Sequence, residues 1–441
     1  MNKWQAFIMA AIWLLSLVIS GCGDGDLEKP LSMPMDAAVR PEPLPEQIIV
    51  DVYWDATVSM QGFTKLASGN IYRNLPDTLG DLGGTLGKSL GEVHFFRFGE
   101  QITPVEGREY RRFSNSDYYT EVVTSFGSVL DVADPQHLSI VVTDLFESDA
   151  DWSNVTQKLR EKYFSQHMTV AIIGVKNSFS GEIFDVGLNA ATFSYDSGDD
   201  PGRFRPFYLF LMGTETQVRA FLEKWMEKES KNGEMEYVVF SEHFTADVLN
   251  FQLSKAKDKQ NLFEDRQLPK ADDRLQEVGF ADKNNRVQIT IPGKCQLLPY
   301  GCLKTENISN LDTRVTIYAL NSDEVWEKYE GSKKPDAVFE STPNADGEGN
   351  NCELKLGFHA DGVMPRGRIG LMQVQILPSR QNLELPGWLT AWDMGDIDAH
   401  PEWFDGSKTV NLEKIAASLK DTLLTAAQPT LAEFYLVVDG R

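Results

Sequence analysis

The chain has 441 residues, 24% charged and 42% hydrophobic, with a formal net charge of −23. So acidic a surface argues against nucleic acid or an anionic membrane face as a direct partner and favours cationic groups or metal ions. The length and apolar content suit two packed domains, three at most, and exclude a largely disordered polypeptide.

Behind Lys3, the stretch Trp4 to Ile19 is apolar apart from Gln5 and Ser16. A spanning helix needs about 20 apolar residues, so this shorter run fits a signal-peptide core. It ends in Ile19-Ser20-Gly21-Cys22, which resembles a bacterial lipobox. The resemblance implies removal of residues 1–21 and lipidation of Cys22, whose acyl chains would anchor the protein to the bilayer. The alternative is an ordinary secretory signal followed by a chance cysteine. Residues 22–46 hold five prolines, several acids and no aromatic residue. They cannot bury a core and read as a semi-stiff tether. Gly23 rather than Asp follows Cys22, which under the enteric sorting rule favours the outer over the inner membrane of the cell envelope.

Residues 47–244 read as one α/β domain. Ile48 to Trp54 predicts a strand, and Leu79, Leu82, Leu86 and Leu90 predict a helix over 77–90. That stretch also holds Gly80, Gly83, Gly84 and Gly87, which predicts a close approach to a sheet or a partly irregular segment. Further strands are expected at 92–98, 101–105, 138–142, 169–175, 205–213 and 237–241. Helices are expected at 121–130, with Val122, Phe126 and Val129 inward, at 152–163, and at 214–228 behind a Thr214 cap. Alternating helices and largely apolar strands predict a doubly wound, mostly parallel, Rossmann-like sheet. The polar, Gly-containing stretch 176–203 reads as a surface insertion.

Directly after the first strand stands Asp55-Ala56-Thr57-Val58-Ser59-Met60-Gln61-Gly62. A carboxylate and two hydroxyls on alternate residues are hard oxygen donors, suited to Mg²⁺, Mn²⁺ or Ca²⁺ rather than zinc. A later strand ends Val141-Val142-Thr143-Asp144-Leu145, and Thr120 precedes a short helix. Together these resemble the metal-ion-dependent adhesion site of von Willebrand factor A-type domains, over roughly residues 47–242. The resemblance implies a divalent cation, Mg²⁺ first, held by Asp55, Thr57, Ser59, Thr120 and Asp144. It also implies a protein partner engaged through an acidic side chain, and no catalysis. Thr124, one helical turn beyond Thr120, competes for the second-loop role. Leu145 stands where the family has glycine, a departure that would tighten the third loop. A metal-dependent phosphohydrolase, or a structural envelope protein with a vestigial site, are the alternatives.

Other strings lose their force in context. Asp51 lies more than about 10 Å back along the strand from Asp55, so it reads as solvated or hydrogen-bonded and not as a nucleophile. The string Gly87-Lys88-Ser89-Leu90-Gly91 precedes a strand where a nucleophile elbow follows one. The six histidines are scattered, without metalloprotease spacing.

Residues 245–285 form a charged connector, with a helix expected near 247–257. From 286 to 441, short period-two runs at 287–291, 314–318, 353–358 and 369–377 predict a mainly β, sandwich-like domain. Leu412, Ile415, Leu419 and Leu423 add a late helix over 411–426, and 434–438 a last strand. Cys295, Cys302 and Cys352 suit one disulfide and one free thiol, with the pairing open. Trp388, Trp392 and Trp403, among Asp393, Asp396, Asp398 and Asp405, form either a ligand rim or a loop pinned to this second domain.

Overall fold

The computed structural model describes residues 44–65, 70–145, 149–186, 191–229, 234–242, 249–251, 257–260, 262–263, 275–280, 286–295, 311–322, 325–330, 335–343, 350–359, 369–377, 384–395, 397, 404–427 and 430–439. The signal segment, Cys22, most of the tether and of the charged connector, Cys302 and Trp403 lie outside the described residues. No helix of the described residues is long and apolar enough to cross a membrane.

The first unit runs β1 (Ile49–Asp55), α1 (Ile71–Gly83), β2 (Glu92–Phe98), β3 (Ile102–Val105), α2 (Phe126–Val132), β4 (Leu138–Thr143), α3 (Asp149–Lys162), β5 (Thr169–Asn177), β6 (Ser180–Val186), β7 (Ala191–Asp196), β8 (Arg205–Gly213), α4 (Glu215–Glu229) and β9 (Met235–Phe240). Seven strands make one mixed sheet in the order β3-β2-β1-β4-β8-β5-β9. Strands β1, β2, β4 and β5 run one way and β3, β8 and β9 the other. The parallel pairings are β2-β1 and β1-β4. Strand β8 enters antiparallel between β4 and β5. Both β4 and β8 are buried along their whole length, as their largely apolar runs require.

Alternation along β1 sorts the layers. Val50, Val52 and Trp54 share a core with Leu75 and Leu79 of α1 and Phe221 and Trp225 of α4. Tyr53 joins Phe126 of α2 and Trp152 and Leu159 of α3 in a second core. Helix α1 starts six residues before its expected start because Tyr72 and Leu75 extend the apolar stripe past Pro76. The Asn70 side chain caps it, accepting from the Arg73 amide at 3.0 Å. The glycines after it sit in turns against backbone: a Cβ on Gly91 would fall 2.2 Å from the Ile48 carbonyl. Helix α2 begins only at Phe126, so Val122, expected inward, stands 84% exposed. Thr214 and Gln217 cap α4 reciprocally, at 3.3 and 2.9 Å. The insertion is the hairpin β6-β7.

The second unit comprises β10 (Leu249–Phe251), β11 (Lys257–Gln260), β12 (Leu262–Phe263), β13 (Leu275–Phe280), β14 (Arg286–Cys295), β15 (Asp312–Leu320), β16 (Trp326–Lys328), β17 (Asp336–Pro343), β18 (Asn350–His359) and β19 (Ile369–Leu377). After them come α5 (Gly387–Trp392), α6 (Leu412–Ala426) and β20 (Ala432–Asp439). One sheet follows β10-β14-β18-β17 with β11 also on β14, and the other follows β12-β13-β20-β19-β15-β16. All these pairings are antiparallel except β13-β20. Val287, Ile289 and Ile291 of one sheet and Val374 and Ile376 of the other share one core, the period-two pattern made physical. Within the helix expected near 247–257, residues 249–251 and Lys257 instead belong to strands that pair along β14, while 252–256 lie outside the described residues. Cys352 is disulfide-bonded.

Helices α5 and α6 return to the first sheet. Leu412, Ile415, Leu419 and Leu423 are buried in the same core as Leu159 and Tyr163. Each such side chain contributes about 1.5–3 kcal/mol on burial. Trp388 and Trp392 close over Gly174 of β5, where an added Cβ would sit 2.6 Å from the Trp392 ring. The tryptophans therefore pin this stretch to the α/β sheet and not to the β unit from which the chain arrives.

Candidate functional site

The site lies where β1 and its two parallel neighbours end. Strand β1 stops at Asp55, opposite Phe98 of β2, and the Ala56 amide still donates to the Phe98 carbonyl at 2.9 Å. The chain then leaves the sheet plane into a 3-10 turn, Val58–Thr64. Its amide at Val58 donates to Glu121 at 3.0 Å, and the Thr120 and Glu121 amides both donate to Ala56, each at 3.1 Å. These bonds fix the loop before α2 beside the loop after β1. Gly62 is needed in this turn because the Phe179 ring from the hairpin side leaves no room, with an added Cβ at 2.3 Å. Met60 fills the core beneath.

Asp55 is fully buried and surrounded by hydroxyls. Its Oδ1 accepts from the Thr57 amide at 3.0 Å and the Thr57 hydroxyl at 2.7 Å. Its Oδ2 accepts from Thr143 at 3.0 Å and, more weakly, from Thr124 at 3.4 Å. The Thr57 and Ser59 hydroxyls stand 2.9 Å apart. Burial, and then the charge of Asp144, push the Asp55 carboxyl up to about 7, against the opposing hydrogen bonds of Thr57 and Thr143. Two carboxyl groups thus share a site from which water is largely excluded.

Asp144 follows β4 and is also buried. Its Oδ2 lies 3.9 Å from Nη2 of Arg205, an ion pair too long for a hydrogen bond. Arg205 opens β8, which runs antiparallel, so its first residue reaches the same sheet edge. The guanidinium is buried, and Nη1 donates to the Gly406 carbonyl at 3.2 Å and the Lys408 carbonyl at 3.0 Å. Burial pulls the Arg205 pKa down, and Asp144 pulls it back up. Leu145, next to Asp144, is buried with φ +56°, the left-handed conformation that costs a branched residue most and glycine least. The loop keeps a glycine-like turn with a leucine in it, anchored by the bond from the Leu145 amide to Thr143 Oγ1 at 3.2 Å.

Of the residues singled out from sequence, Asp55, Thr57 and Ser59 converge, and Asp144 lies close enough to raise the pKa of Asp55. Thr120 does not join them. It is exposed, and its hydroxyl accepts from Arg97 Nη2 at 2.6 Å. Thr124 takes the place on Asp55 because α2 starts late, leaving 120–125 outside the helix. Thr143 and Arg205 complete the surroundings without having been anticipated. An arginine opening an otherwise apolar strand is the signal that points to Arg205, since a buried guanidinium requires an acidic or carbonyl partner. Among the described residues no three His, Cys, Asp or Glu side chains cluster closely enough to hold a metal. The oxygen donors here are two carboxylates supplemented by hydroxyls.

Asp51 is engaged elsewhere. Its two oxygens meet His94 Nδ1 at 2.9 Å and His137 Nδ1 at 2.7 Å, on the same face as Asp55 but toward the start of β1. Compared with models of protein families, with curated proteins and with solved structures, the chain matches none.

Proposed function

We propose that this protein is an envelope lipoprotein that binds a partner protein through a divalent cation held at the end of β1. One observation carries the reading: Asp55, Thr57, Ser59, Thr124 and Asp144 gather at one sheet edge. Two carboxylates and three hydroxyls are the donor set a hard cation takes, with Mg²⁺ first and Mn²⁺ or Ca²⁺ also suited. The residues fit such an ion electrostatically as well. A pair of buried carboxyls raises the cost of ionising either, and a divalent charge removes that cost. The hydroxyls donate oxygen without adding charge, so a bound cation keeps attraction for an acidic side chain of the partner. Thr124 replaces Thr120 in this reading, because the Thr120 hydroxyl already serves Arg97. In this reading the site is adhesive, and Asp55, the carboxylate hydrogen-bonded to Thr57 and Thr143, serves as a cation ligand.

Thermal melts with Mg²⁺, with Mn²⁺ and with chelator test this on the native protein and on Asp55→Ala. The native protein should melt higher with cation, by an amount set by concentration over dissociation constant. Asp55→Ala should lose that increment. Native melts and titrations indifferent to every cation would sink the reading.

A further inference from the structure

Arg205 is the one buried guanidinium at this edge among the described residues, and its arrangement is unusual. Burying it is costly unless its charge and all its N–H groups are matched. Nη1 is matched by two carbonyls, Gly406 and Lys408, 201 and 203 positions away. Nη2 faces Asp144 at 3.9 Å, and Nε is buried with no hydrogen-bond partner. The ring of Phe179 lies under it at 5.5 Å. Arginine–carboxylate pairs are frequently bidentate, and this one is not. Here the two carbonyls hold Nη1, and Nη2 faces the Asp144 carboxylate at 3.9 Å, which puts a buried positive charge beside the site.

We propose that Arg205 is a resident counter-charge that sets the cation affinity of the site and ties it to the docked segment 404–410. This rests on the cation reading above. Arg205 offsets the charge of Asp144 when no ion is bound, and it opposes a divalent ion that arrives beside the same carboxylate. The Gly406 and Lys408 carbonyls fix how near it stands, so the far segment tunes the site without contributing a ligand. Arg205 is therefore a positioning residue, and its removal should strengthen cation binding rather than weaken it.

Isothermal titration with Mn²⁺, backed by melts in chelator and in Mn²⁺, decides this on the whole chain. In Arg205→Met the affinity should rise on the order of tenfold, since a unit charge at this range opposes the ion in a medium of low effective dielectric. The melting temperature in chelator should fall and the increment from Mn²⁺ should grow. Arg205→Gln keeps an N–H for the Gly406 carbonyl and should show the same direction. Thr409→Val removes the bond from the Tyr208 hydroxyl at 2.8 Å but leaves Arg205 in place. It should lower both melts equally and leave affinity unchanged. Equal or weaker binding by both Arg205 variants, with the native protein binding normally, overturns this inference and leaves the adhesion reading standing. Binding by Arg205→Met alone, with none by the native protein, supports the inference and removes the adhesion reading, because the guanidinium would then have displaced the ion altogether. Binding by neither overturns both. If the variants fold only when Mn²⁺ is supplied, the counter-charge role is upheld. If they fail to fold even then, Arg205 is structural and the inference falls.

Discussion

At Asp55 the energetics turn on a single proton. Its folded pKa of about 7 lies above the ordinary 3.8, so the carboxyl takes up a proton on folding in that window. A group shifted this way stabilises fully below its unfolded pKa and loses that contribution as pH rises through the folded value. The metal-free protein should therefore lose stability between about pH 4 and 7 from this residue, by a few kcal/mol. Asp55→Asn should remove that slope, read as the difference between native and variant melting temperatures in chelator at each pH. Saturating cation should flatten the native curve too, because it favours the ionised carboxylate. A native curve parallel to the variant's in chelator would contradict the burial argument. Asp55, Thr57 and Ser59 were legible in the sequence because alternate polar residues ending an apolar strand have few other places to go. Thr120 was misplaced for a physical reason: the choice between it and Thr124 depends on where α2 begins, and the two exposed valines between them mimic a helical stripe.

Elements show the same division. Strands β4 and β8 were legible almost to the residue because burial on both faces demands an apolar run of set length, and β19 through its period-two pattern. The direction of β8 was not, because nothing in an apolar run records which neighbour it pairs with. Helix α1 shows propensity yielding to packing: a proline stands inside it, and burial of Tyr72, Leu75 and Leu79 outweighs the roughly 3 kcal/mol that proline costs in a helix. The segment 404–410 depends on close fit. Gly406 faces the Tyr195 ring, with an added Cβ only 2.3 Å away, and Phe404 stacks on Phe193 at 4.0 Å. Gly406→Ala should destabilise the protein by about 1–3 kcal/mol through overpacking. Gly387→Ala, where the added methyl meets nothing within 4 Å, is the matched control and should change stability by less than about 0.5 kcal/mol. Urea denaturation midpoints compare the two, and equal midpoints would mean that Tyr195 yields freely.

For the whole molecule, the α/β unit is not complete at residue 242. Its second face, packed in part by α2 and α3, is completed by α5 and α6, which the chain supplies only after building the β unit. A fragment of residues 44–242 should consequently melt well below the full chain or fail to fold, and a synthetic 384–427 segment added in trans should raise its melting temperature. A fragment as stable as the whole chain would show that α6 is an accessory. The sequence pattern revealed α6 as an amphipathic helix but not its destination, because an apolar stripe states that a face is buried and not against what.

The separation of Tyr208 from Thr409 also has a temporal consequence. At ribosomal rates of about 5–20 residues per second, the 201 positions between them take on the order of 10–40 seconds to synthesise. For that interval the apolar residues of α3 that later pack on α6 stay uncovered. Arg205 likewise waits for the carbonyls of Gly406 and Lys408. A chain stalled or clipped before this segment would therefore lack the finished sheet edge.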